Sequence, residues 1–205
     1  MSSDIYYNIA KTGEGLYREK MSRFLAFAVK IRDAVEAREI VKDYQNRFHD
    51  ARHVCWAYML GKDMTEYQLN DNGEPSGTAG KPILGQIRSK GLTDVLVIVV
   101  RYFGGIKLGT SGLTMAYREA ASLALDDAGK VEVYQMRGVK VEVPYVNLDG
   151  VMRIVKEEGI EVLDQEFNNL CTLRLNLREG KADEIIGRMR KIESVAIENI
   201  EPQNA

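Results

Sequence analysis

The sequence predicts an α+β protein of two domains, residues 1–136 and 137–205. Three observations carry the prediction. Val95–Val100 is a short, unbroken, mostly β-branched apolar run, the pattern of a strand buried on both faces. Stretches on either side repeat their apolar residues at three- and four-residue steps, as amphipathic helices do. Beyond Gly138 the periods run strand, helix, strand, strand, helix, strand.

Residues 1–15 are polar, and Thr12–Gly15 reads as a turn. Leu16–Lys20 and Phe24–Ile31 read as strands, the second largely buried. Asp33 is placed to cap a helix whose stripe is Ala37, Ile40, Val41, Tyr44 and Phe48. His53–Leu60 reads as a strand with His53, Cys55 and Ala57 on one face. Pro82 suits the first turn of a helix that buries Ile83, Leu84 and Ile87 and ends at Gly91. After the central strand, Thr110 or Ser111 is expected to cap a helix running to Ala128, with Gly129 ending it. Val131–Tyr134 resumes a strand, and the boundary falls within Gln135–Gly138. The second domain has an alternating strand at Val139–Val143 and a helix marked by Leu148, Val151, Met152 and Val155. Ile160–Phe167 and Leu170–Leu177 form a hairpin turned at Asn168-Asn169. A helix over 179–192 and a strand over 195–200 complete a ferredoxin-like unit.

With 205 residues, 45% apolar and 28% charged, the chain has an ordinary soluble composition and material for a real core. A net charge of −2 and a pI of about 5.8 exclude a protein that coats nucleic acid by bulk charge. Any such binding needs a local basic cleft. Cys55 and Cys171 do not make a disulfide scaffold. The N-terminus lacks the signal-peptide pattern, and no apolar run is long enough for a membrane span. A reduced, cytoplasmic protein is the expectation.

The candidate site lies in two glycine-rich stretches, Asn70–Pro82 and Arg101–Leu113, each just ahead of a helix. Glycine bares the backbone, and a helix N-terminus leaves N–H groups unpaired, so the two together cradle phosphate or carboxylate. From the first loop the candidates are Gly73, Glu74, Ser76, Gly77, Thr78, Gly80 and Lys81. From the second they are Arg101, Tyr102, Gly104, Gly105, Lys107, Gly109, Thr110 and Gly112. Lys20 and Arg23, between the first two strands, and His53, at the start of its strand, extend the groove. Tyr102 and Phe103 offer a stacking face, Phe103 being the more core-like of the two. The same glycines also serve tight turns and close packing, and the same cations also read as solvated surface.

Other constellations carry less. His53 and Cys55 share a face, but a metal needs three or four ligands, and Cys55 reads as buried. Asp71 and Glu74 have the chemistry to hold Mg²⁺ or to work as acid and base. An Asx-turn at Asp71, and a Glu74 bonded to loop amides or to Arg101, account for them better. No catalytic residue, metal or cofactor is assigned.

The stretch Asp71–Pro82, taken with Arg101–Tyr117, resembles the signature of the IMPACT/YigZ family: D-x-G-E-P-S-G-T-A-G-K-P, then V-R-Y-F-G-G-x-x-L-G-T-G-G-L-x-x-A-Y. Lys20–Phe24 and Asp50–His53 also match, so the resemblance covers nearly the whole chain. Ser111 stands where the family has glycine, and Met115 where a basic residue is common. The resemblance implies an N-terminal domain like domain 2 of ribosomal protein S5. It also implies a C-terminal domain like the fifth domain of elongation factor G. Both of those relatives meet RNA. Eukaryotic members modulate translation with an additional partner-binding domain, and what carries over here is a translation-linked or RNA-binding role.

Three functions follow as expectations. The first is a module that binds RNA or the ribosome through an anion-receptive cleft. The second is an enzyme acting on a phosphorylated small molecule or nucleotide with Mg²⁺ in the same cleft. The third is an adaptor that docks a protein partner on the C-terminal domain. The sequence leaves the oligomeric state open.

Overall fold

The computed structural model describes residues 4–202. These form two units, one of residues 6–133 and one of residues 4–5 with 134–202. The division falls three residues ahead of the boundary expected from composition.

The first unit is built on a five-stranded antiparallel sheet. Its strands, side by side, are β2 (Gly13–Glu19), β3 (Ser22–Lys30), β6 (Val95–Tyr102), β4 (His53–Leu60) and β5 (Glu66–Asn70). β6 is central, and Val95–Val100 are fully buried because helices cover both faces. On one face α2 (Gly80–Ser89) and α3 (Gly109–Ala128) pack through Ile83, Ile87, Leu113 and the α3 alanines. On the other, α1 (Ala34–Arg47) packs through Ala37 and Val41 against Phe27, Trp56 and Ile98. Asp33 caps α1, its carboxylate accepting from the Val35 and Glu36 N–H groups.

Two elements near the N-terminus depart from the sequence reading. Ile5–Ile9 is a strand, β1, which pairs with β7 (Lys130–Tyr134) in a separate two-stranded sheet. Thr12–Gly15 is not a turn, because Gly13 and Gly15 lie inside β2. They are glycines so that α3 can press on the strand. A Cβ at Gly13 would stand 2.2 Å from the Ala124 carbonyl oxygen, and one at Gly15 would stand 2.6 Å from the Ala124 nitrogen.

In the second unit β8 (Met136–Val143), α4 (Leu148–Glu157), β9 (Val162–Phe167), β10 (Cys171–Arg178), α5 (Glu179–Met189) and β11 (Ala196–Ile200) follow one another. Their sheet order is β11-β8-β10-β9, antiparallel throughout, which is the ferredoxin-like arrangement. Alternate residues of β8 and β10 meet Val151, Ile185 and Met189 in a single core. Asp4 joins this unit through its carboxylate, which accepts from Arg178 Nε at 2.7 Å and from the Gly180 N–H at 3.0 Å. Among the described residues no helix is long and apolar enough to cross a membrane.

Candidate functional site

The first glycine loop is closed by an anion of its own. Asp71 follows β5, and its carboxylate accepts from the N–H groups of Gly77 (2.8 Å), Ala79 (3.0 Å) and Gly80 (2.8 Å). The Thr78 N–H and hydroxyl both donate to the Pro75 carbonyl. The N-terminus of α2 is therefore already satisfied, and the open amide nest expected at 77–80 is not there. The same geometry turns Asp71 inward, away from any role as a Mg²⁺ ligand at the surface.

The N-terminus of α3 is different, since no side chain caps it. Neither Thr110 nor Ser111 takes the expected cap position, because the helix already begins at Gly109. That residue adopts a left-handed φ of +73°, a backbone only glycine takes readily. This bare end opens into a cavity of about 450 Å³. Lys107, Leu108, Gly109 and Thr110 wall it on one side, Gly73, Glu74 and Pro75 on another, and Arg52, His53 and Arg101 come from the ends of the sheet. The two glycine stretches thus converge, the first through 73–75 and the second through both its ends.

Strand register sets the floor. His53 on β4 and Phe24 on β3 both pair with Arg101 on β6, so the three side chains lie in one row on the α2/α3 face. Arg101 is 6% exposed, and its Nη1 donates to Glu74 Oε1 at 2.6 Å. Its Nε is fully buried without a partner among the described residues. Glu74 Oε1 also accepts from the Tyr117 hydroxyl at 2.9 Å and lies 3.8 Å from His53 Nε2. Burial pushes the Tyr117 hydroxyl pKa upward, with the nearby Cys55 and Glu74 adding to it, so Tyr117 stays a neutral donor. Burial likewise pushes the Cys55 thiol up to about 12, and its Sγ lies 3.0 Å from the Asp71 carbonyl oxygen. Cys55 is structural, not a nucleophile paired with His53. No group of three or more His, Cys, Asp or Glu among the described residues is arranged to hold a metal ion.

The sequence model of the Impact N-terminal domain matches residues 20–125. The chain belongs to the IMPACT family. IMPACT family member YvyE of Bacillus subtilis (strain 168) is 32% identical over 203 residues, spanning 92% of this chain and 94% of that one. YigZ of Escherichia coli (strain K12) is 30% identical over 172 residues, with 83% and 84% covered. The IMPACT family member in the pol 5′ region of Thermus thermophilus is 37% identical over 159 residues, with 78% and 86% covered. A solved structure described as a hypothetical protein superimposes with a TM-score of 0.73 at 27% identity, covering 98% of this chain and 99% of its own.

The stretch matched to the IMPACT domain contains every residue lining the cavity. Of the residues singled out from the sequence, His53, Gly73, Glu74, Arg101, Lys107, Gly109 and Thr110 line it. Others lie elsewhere for identifiable reasons. Tyr102 and Arg23 are cross-strand partners one residue on from the Arg101 row, so strand alternation carries them to the α1 face. There the Arg23 guanidinium lies 5.1 Å from the Tyr102 ring centre. The stacking expectation reverses accordingly. Tyr102 packs at the α1 side, while Phe103 stands 41% exposed at the cavity, with Arg101 and Arg52 against its ring. Lys20 sits exposed in the tight β2–β3 turn. Gly104 is pressed onto that turn: a Cβ there would stand 2.1 Å from the Met21 carbonyl carbon, and its N–H donates to Ser22 Oγ. Gly112 faces Leu108, and Gly105 is exposed with open space around it. Gly77 and Lys81 line a second hollow with Gln86, Thr114 and Arg118. Ser76 is exposed, while Thr78 and Gly80 are buried by the Asp71 closure.

Sequence reasoning missed two participants, Arg52 and Tyr117. Arg52, next to His53, is exposed at the cavity, and together with Lys107 it makes no ion pair among the described residues. Tyr117 holds the floor from inside, and Asp71, expected to make an Asx-turn, instead reaches the amides of Gly77, Ala79 and Gly80. Tyr117 sits at a position that reads as helix core, which it also is, so only its hydroxyl partner reveals the second task.

Proposed function

We propose that this IMPACT protein binds RNA, non-catalytically, with a phosphate seated in the cavity at the N-terminus of α3. The observation that carries the reading is the convergence of an uncapped 20-residue helix with Arg52, Arg101 and Lys107 on one cavity that holds a single carboxylate. Phe103, exposed beside the cavity, supplies a face on which a base can stack. The acidic net charge confines binding to this local cleft. A role in translation and a cytoplasmic location accord with this reading and rest on the family resemblance rather than on the cavity.

The test is fluorescence anisotropy with a single-stranded RNA across a salt series. Arg52 and Lys107 are exposed, so Arg52→Ala/Lys107→Ala leaves the fold intact. The double variant is expected to weaken binding and to lower the slope of log affinity against log salt by about 1.4, two phosphate contacts' worth. Unchanged affinity and slope would refute the reading.

A further inference from the structure

Glu74 is bonded through one oxygen only. Oε1 receives Arg101 and Tyr117 and faces His53. Oε2 accepts no hydrogen bond among the described residues. That oxygen keeps some exposure, on a residue that lines the cavity. His53 stands beside Glu74. Its Nδ1 lies 2.8 Å from the Asn72 carbonyl oxygen, and a carbonyl has no proton to give. Nδ1 therefore carries a ring hydrogen, and Nε2 faces Glu74 Oε1 at 3.8 Å.

The floor thus presents an acceptor, Glu74 Oε2, beside its cations. A phosphodiester offers acceptors alone, and set against Glu74 Oε2 it would leave that oxygen facing another. A ligand that satisfies both must carry a donor next to its anionic group. In a polynucleotide, the donor adjacent to each phosphate is the ribose 2′-hydroxyl, which deoxyribose lacks. Base N–H groups stand farther from the phosphate.

We infer that Glu74, with His53 beside it, reads a ribose hydroxyl, so that the cavity selects RNA over DNA. This rests on the reading of the cavity as a phosphate site. The same vicinal chemistry also exists at a 3′-terminal ribose, and the test separates the two sources.

The full chain is titrated at fixed salt with four oligonucleotides of one uracil-containing sequence: RNA, DNA, fully 2′-O-methylated RNA, and RNA ending in a 2′,3′-dideoxyribose. RNA is expected to bind at least about tenfold tighter than DNA and than the methylated strand. Glu74→Gln, checked for folding by thermal denaturation, is expected to lose that preference, its affinities for RNA and DNA becoming equal. The comparison on the unmodified chain decides the matter even where the variant fails to fold. If the dideoxy end abolishes the preference, hydroxyl recognition stands and belongs to strand termini; if it has no effect, recognition is internal. Equal affinity for RNA and DNA overturns the inference and leaves the phosphate site standing. Binding to none of the four overturns both.

Discussion

The Asp71 carboxylate lies 2.8 Å from the Gly80 N–H, and it holds two further amides of the same loop. An anion is indeed bound where glycines and a helix end meet, but the protein supplies it. Charge-assisted bonds to buried N–H groups are among the stronger local interactions, because each donor left without its acceptor bears a desolvation penalty. Asp71→Ala is expected to destabilise the fold by about 3 kcal/mol, measured as a lowered urea midpoint at constant slope.

Glu74 and Arg101 form a nearly dry ion pair, their side chains 3% and 7% exposed. Removing either leaves the other buried and unbalanced. Glu74→Ala and Arg101→Ala should each cost about 3–5 kcal/mol. The double variant should fall short of the sum by about 1–3 kcal/mol. Chemical denaturation of the four proteins checks this, and strict additivity would mean that the pair does not act as a unit.

Two glycines predict opposite outcomes on substitution. Gly13→Ala drives a methyl into the backbone of α3 and should cost more than about 2 kcal/mol. Gly85, in the middle of α2, has open space around its Cβ position. Gly85→Ala should stabilise by about 0.5–1 kcal/mol through helix propensity and a stiffer unfolded chain. Thermal denaturation of the two variants should move the midpoint in opposite directions.

Asp4 gives the acid limb a defined contributor. The Arg178 hydrogen bond holds its carboxyl at about 2, below the ordinary 3.8. A carboxyl depressed in the folded state contributes stability above its unfolded pKa and loses it as pH falls through the folded value. The contribution of Asp4 should therefore be full above about pH 4 and fade on acidification towards about 2. Carboxyl NMR titration should place its midpoint near 2, and Arg178→Gln should return it to the ordinary range.

Much of this fold is written in local patterns. The run Val95–Val100, the Asp33 cap, the His53–Leu60 strand and the Asn168-Asn169 hairpin each carry a period or a turn residue that a single segment suffices to read. Gly13 and Gly15 mislead because their reason lies more than a hundred residues away, in Ala120 and Ala124 of α3. The site is legible in the same degree. Glycine density and cations mark the neighbourhood, but period two alone decides that Arg101 faces the cavity and Tyr102 does not. Glu74 pairs with Arg101, one of the two partnerships expected for it, whereas the loop amides fall to Asp71 by side-chain reach, which appears only in three dimensions.

Arg101 is the last residue but one of β6, the strand clamped between both helical layers. Amides in such a strand exchange with solvent only when the whole unit opens. Partial loosening at the periphery leaves the guanidinium fixed, so the cavity floor should outlast its walls as the unit unfolds. The Arg101 guanidinium is thus expected to hang from the last stretch of backbone to open, and variants of the surrounding loops should leave it in place.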